Sequence, residues 1–272
     1  VQMNIDHQAL FEPITKLTSR FDCSNVNEII LKAAGISVSE VPGPVHIGVP
    51  ARIGLIRAEE PDKPVNYLRL EKDFPRETVN ESIIKAKSAF QKAKKPILAI
   101  GLSAVRAQIK ELIIQLAEKY NLPVVLTPMA KGMFPESHPL YAGVLFHALS
   151  DHVARTYREA DLVIGIGYDP VEFNYEDWMP HVPLINFASQ PADIDREEYI
   201  EVIDITGELN ELSKEFLNLP VESKAWDRSL LAVRKKELFQ KMIPAEGSFG
   251  PLTVVAELRN ALPEDGILTV DV

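Results

Sequence analysis

Four acidic residues, Asp169, Glu172, Glu176 and Asp177, crowd one stretch of this chain. Carboxylates gathered in a loop can offer oxygen ligands to a hard cation; a solvated acidic loop is the expected reading here. Six histidines, His7, His46, His138, His147, His152 and His181, could ligate a metal. No two have the i, i+4 helical spacing, and no H-E-x-x-H occurs. His147 and His152 would point in different directions on a helix, so all six read as surface or satisfied core residues. Cys23 is the lone cysteine, which excludes a disulfide framework or a cysteine-based metal site within one chain. It has no nucleophile context, and no G-x-S-x-G elbow is present. These residues give no catalytic, cofactor-binding or metal-binding assignment.

What remains is the geometry of strand ends. Three apolar runs end in turns: Gly101-Leu102-Ser103, Thr127-Pro128-Met129-Ala130-Lys131-Gly132, and Gly165-Ile166-Gly167-Tyr168-Asp169-Pro170. Doubly wound sheets take ligands at such ends. None of the three is a G-x-G-x-x-G opening a helix. Gly165-Ile166-Gly167 reads as close packing inside a strand under a crossing helix, and Ser103 as a helix N-cap rather than a phosphate ligand.

The elements that position these turns alternate. Residues 25–34 predict a helix with Asn25 as N-cap and Glu28 at N3. Val45 to Val49 predicts a buried strand. From Gly54 to Asp73, Pro61, Pro64 and frequent charges predict a linker. Thr78 and Glu81 form a capping box before a helix with Val79, Ile83, Ala86 and Phe90 inward. Strands follow at 96–101, 123–127, 162–167, 184–187 and 200–205. Helices are expected at 104–120, with a stripe from Val105 to Tyr120, then near 150–160 and at 207–217. A loop with Gly132, Pro135 and Pro139 precedes the helix near 150–160. Helices near 225–241 and at 252–262, and a strand at 267–272, complete the reading. Apolar strands alternating with helices imply an α/β fold, a parallel sheet covered on both faces and doubly wound.

Composition narrows the function classes. Formal charge is −10, from 29 basic and 39 acidic residues, which disfavours a nucleic-acid surface. The basic runs Lys92-Ala93-Lys94-Lys95 and Arg234-Lys235-Lys236 both read as solvated helix faces. No apolar run approaches the roughly 18 residues of a membrane span. Neither a leader nor a cleavage site is apparent, so nothing suggests export, and the lone Cys23 fits a reducing cytoplasm as the expected compartment.

Taken together, several segments are familiar. Ala9-Leu10-Phe11-Glu12-Pro13-Ile14-Thr15-Lys16, then Gly43-Pro44-Val45-His46-Ile47-Gly48-Val49-Pro50, resembles the end of the pyrimidine-binding domain of thiamine-diphosphate enzymes. Residues 76–219 resemble their central domain. Ala160-Asp161-Leu162-Val163-Ile164-Gly165-Ile166-Gly167-Tyr168-Asp169-Pro170-Val171-Glu172-Phe173, with Trp178 beyond, is similar to a stretch of catabolic acetolactate synthases. Pro251-Leu252-Thr253 to Leu258, and Thr269 to Val272, look like the opening of a diphosphate-binding domain. The resemblance divides the chain into 1–53 (pyrimidine-domain tail), 54–75 (linker), 76–219 (central domain), 220–250 (linker) and 251–272 (start of the diphosphate-binding domain).

The resemblance implies a thiamine-diphosphate- and Mg²⁺-dependent parent that decarboxylates pyruvate and adds the resulting carbanion-enamine to a second 2-keto acid. The cofactor would supply the electron sink and the protein its orientation. An activating glutamate and a Gly-Asp-Gly…Asn metal element would lie outside residues 1–272, leaving this fragment structural and inactive, in a homodimer or homotetramer. Two departures matter. Met3 stands where members often carry Gln, with Gln2 one place earlier. No Arg follows the Gly165-Ile166-Gly167 run where FAD-binding members have one, so FAD is not expected. A 2-keto-acid decarboxylase and a module sensing ADP or a dinucleotide are the alternatives.

Overall fold

Short apolar runs bounded by Pro and Gly become parallel strands in a computed structural model of the chain. The structure describes residues 5–22, 26–39, 41–56, 79–145, 149–169, 172, 181–192, 196–198, 200–247 and 249–270. Two compact units result, Val1–Pro75 and Arg76–Val272.

The first unit holds α1 (His7–Phe11), a 3-10 turn (Glu12–Ile14), β1 (Leu17–Arg20), α2 (Val26–Val38), β2 (Val45–Gly48) and a second 3-10 turn (Ile53–Leu55). Asp6 caps α1, its Oδ1 accepting from Ala9 N at 3.1 Å. β1 and β2 run parallel, with Leu17 opposite Val45 and Arg20 opposite Gly48. Sequence patterning foretells α2 and β2 but misses β1, a four-residue strand whose Thr18, Ser19 and Arg20 carry no apolar signal. Among this unit's described residues only Ala33 is fully buried. Asn25 lies outside the described residues.

The second unit runs α3 (Val79–Lys92), β3 (Pro96–Ile100), α4 (Leu102–Arg106), α5 (Lys110–Tyr120), β4 (Val124–Leu126), β5 (Tyr141–Val144), α6 (Ser150–Arg158), β6 (Leu162–Ile166), β7 (Leu184–Ala188), β8 (Val202–Thr206), α7 (Leu209–Leu217), α8 (Arg228–Gln240) and α9 (Pro251–Ala261). The sheet order is β5-β4-β3-β6-β7-β8, all parallel. The order reverses between β3 and β6, as in a doubly wound dinucleotide-type sheet. Successive residues of β3 feed opposite faces. Leu98 and Ile100 join Phe90, Tyr120 and Phe216 of α3, α5 and α7. Ile97 and Ala99 join Tyr157 of α6 and Leu238 of α8. β3 and β6 are buried at every position, which is why they read as unbroken apolar runs.

Four expectations change. The predicted helix 104–120 is two helices, α4 and α5, broken where Gln108 adopts φ 55°. The apolar stripe hides the break because Val105, Ile109 and Leu112 all still face the core. The loop before α6 contains an edge strand, β5, whose alternating burial and Gly143 at φ 112° masked it. Residues 267–270 form no strand, and Ile267 is 91% exposed. Arg234 and Lys235 are not a solvated face: Arg234 pairs with Glu159 and donates to Thr156 Oγ1 at 3.2 Å, and Lys235 Nζ donates to the Ser137 and His138 carbonyls at 2.9 Å. Thr78 of the expected capping box lies outside the described residues.

Residues 220–227 strap the amino-terminal ends of the strands. Trp226 is 4% exposed and its Nε1 donates to Pro96 O at 2.7 Å. Lys224 Nζ donates to Phe90 O at 2.6 Å and Ala93 O at 2.9 Å, neutralising carbonyls at the end of α3. Asn121 ends α5 in the left-handed region (φ 54°), which short polar side chains tolerate. Its amide bonds both Lys224 O (3.0 Å) and Trp226 O (2.9 Å), and its carbonyl accepts from Arg228 Nε (2.7 Å).

Candidate functional site

The sheet order points to one place for a ligand, the carboxyl ends of β3 and β6 where the winding reverses. β3 delivers Gly101, β6 delivers Gly167 and β4 delivers Thr127. The two turns touch through their glycines. A Cβ on Gly101 would lie 2.4 Å from Gly167 O and 2.6 Å from Tyr168 Cα. A Cβ on Gly167, whose φ is 56°, would lie 2.4 Å from Ala104 N. Gly101 N donates to Ile166 O at 3.3 Å, Ser103 N to Gly167 O at 3.2 Å and Gly167 N to Phe187 O at 2.8 Å.

Glu172 completes this junction. Its Oε1 and Oε2 accept from Leu102 N at 3.0 and 3.3 Å, and Oε2 accepts from Thr127 Oγ1 at 2.5 Å. Thr127 is fully buried at the end of an apolar strand. Burial pushes the Glu172 carboxyl above its ordinary range, against the pull of the Thr127 and Leu102 hydrogen bonds; Asp169 adds to the rise and Arg106 opposes it. Behind the junction, Tyr157 and Tyr168 share a buried hydroxyl contact of 3.2 Å, and burial drives Tyr157 well above the ordinary phenol range.

Glu172 is thus not part of a solvated loop. Asp169 is exposed, and Glu176 and Asp177 lie outside the described residues. Ser103 is not an N-cap: Gly101 holds that position, and Ser103 Oγ accepts from Arg106 Nη2 at 2.6 Å inside the first turn of α4. Gly165 packs against the Tyr168 ring, while Gly167, one residue past the strand, makes the close approach to a helix. The described histidines stay apart. His46 stacks on Phe11 at 4.2 Å and meets Thr18 Oγ1 at 2.8 Å. His138 contacts Glu118 and accepts from Leu140 N at 3.1 Å; His152 contacts Arg155 at 3.0 Å. His7 and His181 are exposed, and His147 and Cys23 lie outside the described residues. Among the described residues no three His, Cys, Asp or Glu side chains come together as a metal site, and no helix is long and apolar enough to cross a membrane.

Sequence reasoning missed the Glu172–Thr127–Leu102 cluster. The available signal was a polar Thr127 closing an apolar strand, with single glycines ending two other runs.

Residues 83–216 match the family described as thiamine pyrophosphate enzyme, central domain. The acetolactate synthase large subunit of Parasynechococcus marenigrum is 27% identical over 267 residues, 92% of this chain and 42% of that protein. That of Haemophilus influenzae is 30% identical over 201 residues, 72% and 35% respectively. The acetolactate synthase of Bacillus subtilis is 26% identical over 280 residues, 99% and 48% respectively. The chain therefore spans less than half the length of these relatives. Among solved structures, the thiamine diphosphate-dependent 4-hydroxybenzoylformate decarboxylase of Rhodococcus jostii superposes with TM-score 0.67 at 22% identity, covering 98% of this chain and 50% of that one. Benzoylformate decarboxylase from Polynucleobacter necessarius gives 0.61 at 19% identity, covering 79% and 40%. At those identities the likeness is one of fold.

Proposed function

We propose a function for a chain whose residues 83–216 belong to the thiamine pyrophosphate enzyme family, as its central domain. The whole protein is an acetolactate-synthase-like enzyme, dependent on thiamine diphosphate and Mg²⁺, that decarboxylates pyruvate and joins the product to a second 2-keto acid. One observation carries this reading: similarity to acetolactate synthases extends over 92% and 99% of the chain, well beyond both borders of the central domain.

The described residues do not themselves fit the cofactor. No carboxylate cluster is present among them for Mg²⁺, and the strand ends of the central sheet are occupied by the chain's own groups. No catalytic step is therefore assigned to them. We assign the segment a structural role, holding catalytic regions in register within a homodimer or homotetramer, inactive alone, FAD-free and cytoplasmic.

A 2-keto-acid decarboxylase is the second reading, favoured by the fold match to a decarboxylase over 98% of the chain. Incubating the full-length protein with pyruvate, thiamine diphosphate and Mg²⁺ separates the two. Acetolactate supports the synthase, an aldehyde the decarboxylase, and neither product removes both for that substrate.

A further inference from the structure

Where α8 packs on the edge strand β5 and on α6, a cavity of about 10 Å³ remains, the lower limit of room for one water-sized occupant. Leu231 and Leu238, both buried, form its apolar wall. Its polar lining consists of donors. Lys235 Nζ carries three N–H groups; two go to the Ser137 and His138 carbonyls, and the third has no acceptor among the described residues. Arg234 Nη1 donates to Thr156 Oγ1, so that oxygen is already in use. Thr156 is buried, and its hydroxyl hydrogen has no acceptor among the described residues. Arg155 can only donate to His152 Nδ1, which puts the histidine hydrogen on Nε2. Among the described residues no carboxylate or carboxamide side chain lines the cavity. The charges are unbalanced in the same sense. Glu159 is held by Arg234 and Lys95, and Glu237 by Arg155. Lys235 has no such partner: burial pushes its ammonium below the ordinary lysine range, and no acidic neighbour pulls it back.

We infer that this cavity is a binding site for a single chloride-sized monovalent anion, held by the third Lys235 N–H, the Thr156 hydroxyl and the Arg234 guanidinium. Water is the poorer occupant, because it brings two hydrogens of its own to a lining that is short of acceptors. A halide ion brings acceptor capacity alone, and its charge compensates a cation that burial penalises. Polyatomic oxyanions exceed the space. Chloride is somewhat larger than water, and the long flexible stem of Lys235 can draw back to admit it. The bound anion would tie α8 to α6 and so stabilise the second unit. This holds whatever reaction the whole protein performs, because the groups involved lie on α6, α8 and the edge strand and not at the carboxyl ends of β3 and β6.

The test is thermal unfolding of the chain while sodium chloride replaces sodium gluconate at constant ionic strength. Gluconate is too bulky for the cavity, so general salt effects stay matched while the candidate ligand varies. The wild type should gain stability saturably, by about 3–6 °C in Tm once chloride stands tenfold above its dissociation constant. Lys235→Met should lose that gain. Lys236→Met makes the same change of charge one residue along, outside the cavity, and should keep it. Chloride NMR linewidths should broaden with the wild type and with Lys236→Met, and much less with Lys235→Met. A wild-type Tm that does not respond to the exchange overturns the inference, as does an equal chloride gain in wild type and Lys235→Met. The wild-type titration requires no variant, so a Lys235→Met chain that fails to fold leaves the inference open to refutation.

Discussion

The two ends of the central sheet are tied off by opposite means. At the amino end, the strap 220–227 brings an indole onto the start of β3, and an ammonium and two backbone carbonyls onto the ends of α3 and α5, with Trp226 almost wholly buried. At the carboxyl end, two glycine turns are pressed together and one half-buried carboxylate, Glu172, spans them. In both places the partners are distant in sequence, so each tie closes a long loop. The strap itself draws on apolar burial and satisfied carbonyls, with the ion pairs of Glu159 beside it. The carboxyl end draws on a charge that burial disfavours. In a doubly wound sheet the carboxyl end is where ligands bind; here it retains polar groups but turns them inward.

The largest effect should come from breaking the amino-end tie. Trp226→Ala removes a buried indole and leaves Pro96 O without its donor, so it should cost about 3–5 kcal/mol, or roughly 10 °C in Tm for a unit of this size. Urea and thermal unfolding would check it. A loss within 1 kcal/mol would mean the strap decorates the sheet rather than closing it.

Next comes the carboxyl end, probed by pairing two glycines. Gly167 and Gly132 both have positive φ, 56° and 95°, but a Cβ on Gly132 meets nothing within 4 Å. Alanine at either site incurs the conformational cost of about 1–2 kcal/mol. Only Gly167→Ala adds a collision with the backbone of α4, so it should destabilise by roughly 2 kcal/mol more than Gly132→Ala. Equal losses would show that the turns are not pressed together.

Lys224→Met separates charge from packing at the amino end. The methionine keeps the aliphatic stem near Phe90 but gives up the bonds to Phe90 O and Ala93 O. A loss of about 1–2 kcal/mol in urea titration is expected, smaller than for Trp226→Ala. If it matches or exceeds the tryptophan variant, the amino end is held by charge after all, and the contrast between the two ends disappears.

The same contrast explains what could be read from sequence. β3 and β6 are legible because both faces are covered, which forces every residue to be apolar. β5 is not, because an edge strand needs only alternate burial and tolerates a glycine and a register shift against β4. The strap reads as a connector because the anchors of Trp226 and Lys224 lie more than a hundred residues upstream. Glu172 reads as one acid in an acidic run because its partners, Leu102 and Thr127, are 70 and 45 residues away. Periodicity reports which way a side chain faces within its own element. It carries nothing about which distant backbone group will be waiting there.

The smallest predicted effect concerns two glutamates, one at each end, whose acidities move in opposite directions. Hydrogen bonding to Arg234 and Lys95 holds Glu159 below the ordinary value of 4.5, so its stabilising contribution is present above 4.5 and fades as pH falls through the lowered value. Burial raises Glu172 above 4.5 despite Thr127, Leu102 and Arg106, and Asp169 raises it further. A carboxyl that holds its proton more tightly when folded gives its full stabilisation below 4.5 and loses it as pH rises through the raised value. Glu172→Gln is neutral throughout and should be free of that loss. Urea midpoints measured from acid to neutral pH should therefore rise for Glu172→Gln relative to wild type, beginning near 4.5 and levelling off above the raised native value. Glu159→Gln should move the other way, falling behind wild type as pH increases toward 4.5. Parallel curves for wild type and Glu172→Gln would mean that the carboxylate is solvated, and that the carboxyl end of the sheet is no more closed than an ordinary loop.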